Sequence, residues 1–377
     1  MVEISQVTNK SMMKQFCDFP LRLYKRNPYY CPPFYSDELK LFDPKKKGIY
    51  ADYTDSVFFL AYSDGSVVGR IGVIINHAYN IKARELSARF TRFDCIDDFD
   101  VAEALFAAAE KYVRANHLNR VYGPMGFTDL DREGLLVEGF DCCSCYGSSY
   151  NFPYYAGFIE KLGYKKSVDW IERRVKVPAE VDPRVLKFSQ IVSERYKLKD
   201  IVNNKDSIGK VIKKYGKAIF ALLNNAYKDL HGTVPITDRV RDATIKQLRL
   251  ILNPRYISLV VNENDELVGF GIGFPGIWKA LNKTKGKLFP FGFITILRAI
   301  KKHEEIESAL IAVRPDYQSK GVTAVVMVRL FQNIIDDNFK FLESNATLED
   351  NHAINNLWEN YEHTKHKRKR CYVKDLT

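Results

Sequence analysis

Ala309-Leu310-Ile311-Ala312-Val313-Arg314-Pro315-Asp316-Tyr317-Gln318-Ser319-Lys320-Gly321-Val322-Thr323 joins an apolar strand to a helix through a short polar loop. The apolar, partly β-branched run up to Val313 reads as a strand, and Arg314-Pro315 ends it. From Val322 the pattern turns helical. A helix that opens on such a loop presents amides with no intrahelical partner, and its dipole adds partial positive charge at the same end. Gly321 lets backbone approach a ligand closely. The arrangement suits a pyrophosphate, and each hydrogen bond to a charged group is worth about 1.5–3 kcal/mol. Arg314 and Lys320 add charge of the matching sign. On spacing alone, an ordinary strand-to-helix turn with surface charges fits equally well.

Outward from this stretch the chain uses one layout twice. Val57 to Tyr62 and Val67 to Ile75 flank Ser63-Asp64-Gly65-Ser66, which reads as a hairpin. Tyr256 to Val261 and Leu267 to Phe274 repeat it around residues 262–266. Val67-Val68-Gly69 and Leu267-Val268-Gly269 match at an offset of 200 residues. A strand (88–95; 307–313), a long helix (101–116; 323–336), a strand (120–123; 339–345), a helix (153–162; 352–361) and a final β segment (170–177; 368–375) follow each hairpin. This order describes an α/β fold with a mixed central sheet. Pro178-Ala179-Glu180-Val181-Asp182-Pro183 interrupts the pattern, so the domains are expected at 1–179 and 180–377.

Composition sets the outer bounds. The chain has 377 residues, 46% hydrophobic and 27% charged, which excludes a disordered or collagen-like polymer. No apolar run approaches the ~18 residues of a membrane span. Met1 to Lys14 has no basic n-region before an apolar stretch, so a secretory signal is not expected. Seven Cys without framework spacing fit a reducing compartment, and a cytoplasmic protein is expected. The net charge of +11 favours anionic partners.

The run Val313-Arg314-Pro315-x-Tyr317-Gln318-Ser319-Lys320-Gly321-Val322 resembles motif A of the GCN5-related N-acetyltransferase superfamily, written Q/R-x-x-G-x-G/A. Thr323 stands where that motif ends on a smaller residue. Leu342-Glu343-Ser344-Asn345, Asn351 opening a helix and the C-terminal strand extend the resemblance. It implies tandem domains of this fold and a coenzyme A donor. Arg314, Gln318, Ser319, Lys320, Gly321, Val322 and Thr323 would hold the pyrophosphate, and the strand at Ile311 and Val313 the pantetheine and thioester. The first half departs at the equivalent loop, Phe93-Asp94-Cys95-Ile96-Asp97-Asp98-Phe99-Asp100. Its four aspartates and lack of glycine would repel a pyrophosphate. That half is read as a degenerate domain on the acceptor side.

Acyl transfer to an amine needs a base for the ammonium proton, a donor for the oxyanion and an acid for the thiolate. Several superfamily members use a carboxylate at the position of Glu307, so the resemblance implies Glu307 as base. The plain alternative is a solvated strand end beside Glu304 and Glu305. Relatives place a Tyr acid on the helix after Asn351; here Trp358 holds that position, and Tyr361, one turn later, is the candidate. Residues 123–141 form a glycine-punctuated loop with five carboxylates. Asp129, Glu133 and Glu138 are its candidates for acceptor binding, against a merely packed connection. Cys142-Cys143-Ser144-Cys145 lacks two clear Cys/His pairs, so no metal is expected. The basic run 365–370 reads as a solvated edge strand.

An insertion of about thirty residues, 275–303, separates two strands that ordinarily join directly. It carries seven Lys/Arg, no acid, and interleaved Trp278, Leu288, Phe289, Phe291, Phe293 and Leu297. That pattern suits an interfacial segment at an anionic membrane face or a cationic flap over coenzyme A. Together with Phe19-Pro20-Leu21-Arg22-Leu23-Tyr24-Lys25-Arg26-Asn27-Pro28 and the 123–141 loop, it resembles the bacterial ceramide-synthase-like branch of tandem acetyltransferase folds. The resemblance implies N-acylation of a long-chain, sphingoid-type amine by acetyl-CoA or long-chain acyl-CoA at the cytoplasmic membrane face, with nucleic acid not expected as a partner. A soluble acetyltransferase for a small amine or peptide, a tRNA-dependent aminoacyltransferase and a non-catalytic coenzyme A- or nucleic-acid-binding protein stay open.

Overall fold

The computed structural model describes residues 1–41, 48–143, 145–302 and 304–376. Ser144 of the cysteine run and His303 of the insertion lie outside the described residues. The first half runs β1 (Glu3–Gln6), α1 (Lys10–Leu23), α2 (Tyr35–Leu41), β2 (Thr54–Ser63), β3 (Ser66–Asn76), α3 (His77–Ala83), β4 (Ser87–Cys95), α4 (Phe99–Ala115), β5 (Arg120–Gly123), β6 (Leu135–Glu138), α5 (Tyr154–Lys161) and β7 (Lys165–Lys176). The second half runs α6 (Pro183–Arg195), β8 (Lys199–Asp200), α7 (Ile208–Ala226), α8 (Asp238–Leu248), β9 (Ile257–Val261), β10 (Leu267–Pro275), α9 (Trp278–Thr284), α10 (Gly292–Lys301), β11 (Glu305–Val313), α11 (Val322–Asp336), β12 (Phe341–Glu343), β13 (Thr347–Leu348), α12 (His352–Trp358) and β14 (His363–Asp375).

The repeat at an offset of 200 residues has a packing cause. A Cβ on Gly69 would meet Leu105 and Val101 of α4 at 2.8 and 2.9 Å, and one on Gly269 would meet Val322 of α11 at 2.9 Å. Each glycine lets the long helix of its half lie close on the sheet. Phe90, Leu105 and Phe106 fill the space beneath α4, and Val326, Phe331 and Ile334 that beneath α11. On the opposite face the halves share one core, with Phe58, Leu60 and Ile74 packed among Phe220, Leu223, Leu259 and Phe270.

One sheet runs through both halves in the order β1-β2-β3-β4-β5-β14-β7-β12-β11-β10-β9-β8. The last strand of the chain therefore lies beside β5 of the first half, while β7 lies beside β12 of the second. This overturns the reading of 365–370 as a solvated edge. β14 sits in the middle of the sheet, and Lys367 and Lys369 are 3% and 1% exposed. Their inward-facing charges are tolerated because Glu172 of β7 sits between them, 2.6 Å from Lys367 Nζ and 2.9 Å from Lys369 Nζ.

Candidate active site

β11 and β12 are parallel partners only from Glu305↔Phe341 to Glu307↔Glu343. Beyond that point they part, while β11 stays paired with β10 as far as Val313. A bulge opposite Ile272 and Gly273 leaves Ala309 out of the ladder, and Asn345 Nδ2 donates across the gap to the Ala309 carbonyl at 2.8 Å. The parting frees one edge of β11 for a ligand.

Glu307 stands where the strands separate. It is 4% exposed, not a solvated strand end. One oxygen accepts from the Tyr146 amide at 2.8 Å; Oε1 is buried with no hydrogen-bond partner among the described residues. Burial pushes its pKa from 4.5 up to about 8, against the pull of the Tyr146 amide and Lys367. A carboxylate so placed accepts protons near neutral pH. Lys367 donates to the Cys143 carbonyl at 2.8 Å and lies 3.7 Å from Cys145 Sγ. Burial opposes its charge, yet Cys145, Glu172 and Glu343 together hold its pKa well above the usual lysine value. Burial alone would raise the Glu172 pKa, and the two lysines reverse it to well below the usual carboxylate range.

At the other end of β11, α11 opens on Gly321 (φ +82°), and no side chain caps it. Gln318, Ser319 and Lys320 are exposed, with Ser319 also left-handed at φ +62°. Lys320 lies over the Tyr196 and Tyr317 rings. Gln318 Nε2 donates to the Val313 carbonyl at 3.3 Å. Val322 is buried against Gly269 and Thr323 is half-buried. Arg314 is not a free cation, since it pairs with Asp316 and Glu266 at 2.7 and 3.1 Å. Gly321 also has a local reason to be glycine: a Cβ there would meet Phe188 of α6 at 2.7 Å. The equivalent helix of the first half, α4, is closed by its own Asp98, whose side chain accepts from the Asp100 amide. A carboxylate already occupies the end that an anion would need.

Asp129 and Glu133 come together near Arg89, and Glu138 does not. Asp129 lines a cavity of about 120 Å³ with Tyr227, Thr233 and Ile236. Asp129 Oδ1 and Glu133 Oε1 are buried without hydrogen-bond partners among the described residues. Burial raises both pKa values, that of Glu133 to about 8, with Asp129 adding to it. Glu138 is exposed and pairs with Arg368 at 3.2 Å. Tyr361 is stacked on Phe331, centroids 4.6 Å apart, and burial raises its pKa to about 12. Tyr227 carried no motif and escaped the sequence reading; its hydroxyl donates to the Ile311 carbonyl at 2.8 Å. Cys143, Glu305 and Glu343 bring possible metal-ligand atoms within 4.8 Å of one another. Arg174 pairs with both carboxylates, at 2.6 and 3.4 Å.

No family model matches the chain. It is 27% identical to Protein YghO of Escherichia coli (strain K12) over 98% of this chain and 94% of that one. It is 26% identical to a bacterial ceramide synthase of Caulobacter vibrioides over 100% and 98%. Among solved structures, a tandem GNAT protein from the clavulanic acid biosynthesis pathway covers 100% of this chain and 98% of its own, at TM-score 0.56 and 13% identity. A probable N-acyltransferase from Enterococcus faecalis V583 covers 100% and 73% at TM-score 0.52 and 10% identity. The repeated layout, the parted strands and these likenesses agree: the chain has the tandem GCN5-related N-acetyltransferase fold and is similar along its whole length to a bacterial ceramide synthase.

Proposed function

We propose that the chain is an acyl-CoA-dependent N-acyltransferase acting on a long-chain amine. The observation that carries the reading is Glu307, a buried carboxylate with a raised pKa and an unpartnered oxygen at the point where β11 and β12 part. In this reading the pyrophosphate of coenzyme A meets the uncapped α11 and Lys320, and pantetheine follows the free edge of β11 past Val313 and Ile311. Glu307 takes one proton from the acceptor ammonium, the freed lone pair attacks the thioester carbon, the C–N bond forms and the C–S bond breaks, and the second nitrogen proton restores the one given to the thiolate. The leaving thiolate takes a proton from a phenol. Tyr361 lies one turn beyond the position the resemblance gives the acid, and Tyr227 is favoured by its bond to the donor strand. Asp129 and Glu133 hold the acceptor ammonium. Residues 1–179 and 180–377 are two units that exchange β7 and β14.

The likeness to a ceramide synthase supports a long acyl donor. One observation favours acetyl-CoA instead. The apolar cavity beside Glu307, walled by Ile306, Met327, Leu330 and Phe331, holds only about 20 Å³, space for about one water. A long chain requires Met327 and Leu330 to swing aside. The test supplies palmitoyl-CoA or acetyl-CoA with a long-chain amine and follows thiol release. Faster release from palmitoyl-CoA supports the long-chain donor. Equal rates favour the acetyltransferase reading, and no release with either donor sinks the proposal.

A further inference from the structure

The insertion folds as α9 and α10 joined by an exposed turn, and it is fixed to the body of the protein. Ile277, Leu281 and Ile296 are each 0% exposed, packed with Phe34, Tyr146 and Phe274. Asn282 Nδ2 donates to the carbonyls of Asn27 and Tyr30, and the Tyr35 amide donates to the Gly286 carbonyl. It displays aromatic side chains and cations side by side. Phe289 and Phe291 are 81% and 73% exposed, with Phe293 and Leu297 beside them at 38% and 42%. Lys279, Lys283, Lys285, Lys287, Arg298, Lys301 and Lys302 are all exposed. None of the seven has a carboxylate within 4.0 Å among the described residues.

From this surface we infer that α10 and the turn before it dock on an anionic lipid interface, with Phe289 and Phe291 entering the headgroup boundary. Aromatic side chains gain by leaving water while lysines remain at the phosphate level, which is the arrangement of an interfacial segment. A rigid protein partner fits less well, because the centre of a protein interface is depleted of charge, and here cations of one sign ring the aromatic residues. Nucleic acid would match the charge but not four exposed apolar side chains. The placement has a consequence for chemistry. The cluster that anchors the insertion includes Tyr146, whose amide binds Glu307, so in the acyltransferase reading the lipid-facing segment is packed on the residue that holds the base. The inference deepens the acyltransferase reading and rests on it only for that last step.

Co-sedimentation of the full chain with vesicles of phosphatidylcholine alone, or mixed with phosphatidylglycerol, tests the surface. Binding should require phosphatidylglycerol and weaken as salt shortens the Debye length below about 10 Å. The pair Phe289→Ser/Phe291→Ser should weaken binding by about tenfold or more. The triple Lys283→Gln/Lys285→Gln/Lys287→Gln should weaken it chiefly at low salt. Both variants are surface changes, and an unchanged far-UV circular dichroism spectrum and thermal unfolding midpoint report that they fold. Equal binding to neutral vesicles, no binding to either, or a dimer that dissociates on Phe289→Ser/Phe291→Ser overturns the inference. Vesicle binding by a protein that ignores coenzyme A upholds the surface and refutes the acyltransferase reading instead.

Discussion

Replacing Glu307 with glutamine separates what burial does to this carboxylate from what the carboxylate does in catalysis. In the unfolded chain its pKa is near 4.5; in the fold it is about 8. At about 1.36 kcal/mol per unit, the difference is on the order of 5 kcal/mol. The sign follows from proton counting. Below about pH 4.5 the folded and unfolded carboxyls are both protonated, and wild type and Glu307→Gln should be similarly stable. From there to about pH 8 the unfolded state ionises first, so wild-type stability falls relative to the variant. Above about 8 the gap stays constant. Glutamine keeps the shape and can still accept from the Tyr146 amide. Urea unfolding in mild acid and in mild base should therefore show a stabilised variant only in base. Turnover should move the opposite way, falling about 10²–10⁴-fold, and wild-type kcat/KM should climb with pH towards about 8. A stability gap that ignores pH refutes the buried, protonated carboxyl. A loss of turnover under about threefold, with chemistry limiting, moves the base elsewhere, and Glu133 is the next residue to test.

Lys320→Glu should weaken coenzyme A binding at least about tenfold, or about 1.4 kcal/mol, by calorimetry; unchanged affinity removes the pyrophosphate from this loop. Gly321 is a poorer probe, because any side chain there meets Phe188 before it meets a ligand. Asp98→Ala should cost about 1 kcal/mol as a lost helix cap and leave coenzyme A affinity alone; changed stoichiometry would show a second site. Asp129→Asn should raise the KM of the amine about tenfold while coenzyme A binding persists; an unchanged KM takes the acceptor out of that cavity. Lys367→Met should destabilise the fold by about 1.5–3 kcal/mol, because Glu172 loses one of its two charged partners and keeps Lys369. The lysines hold the folded pKa of Glu172 below its unfolded value. That loss should be full above about pH 4.5 and fade in acid; a pH-independent loss would mean packing, not charge, is what Lys367 supplies.

Much of the fold was legible because local signals agree with it. Asp64-Gly65 turns the first hairpin with both residues left-handed, and Gly69 and Gly269 mark where each long helix presses on its strand. The start of α11 at Gly321 was legible for a similar reason, since a helix start needs few residues to declare itself. The exchange of β7 and β14 was not. A strand's partner is set by contacts far along the chain, and Lys-rich β14 carries the composition of an edge. Its lysines become interior residues only because Glu172, some 200 residues earlier, supplies both counter-charges. Tyr227 was missed because its role depends on one hydrogen bond to a distant strand. Glu138 failed to join Asp129 and Glu133 because it lies at the end of β6, where its carboxylate reaches Arg368 on the surface.

The exchange also shapes the vertex of the first half. There β4 and β5 part after Arg89↔Tyr122, just as β11 and β12 part after Glu307↔Glu343, so Arg89 stands where Glu307 stands. Its guanidinium is fully buried and donates to Tyr122 Oη and to the carbonyls of Gly126 and Gly232. Arg89 thus fills the vertex of the first half with protein contacts, one of them coming from the second half. In return, the amide that holds Glu307 belongs to Tyr146 of the first half, and β12 is paired by β7. Each half completes the other's vertex. The first half keeps its place although Asp98 closes its long helix, because Glu307 in the second half depends on Tyr146 and β7 for its burial, and on that burial for its raised pKa.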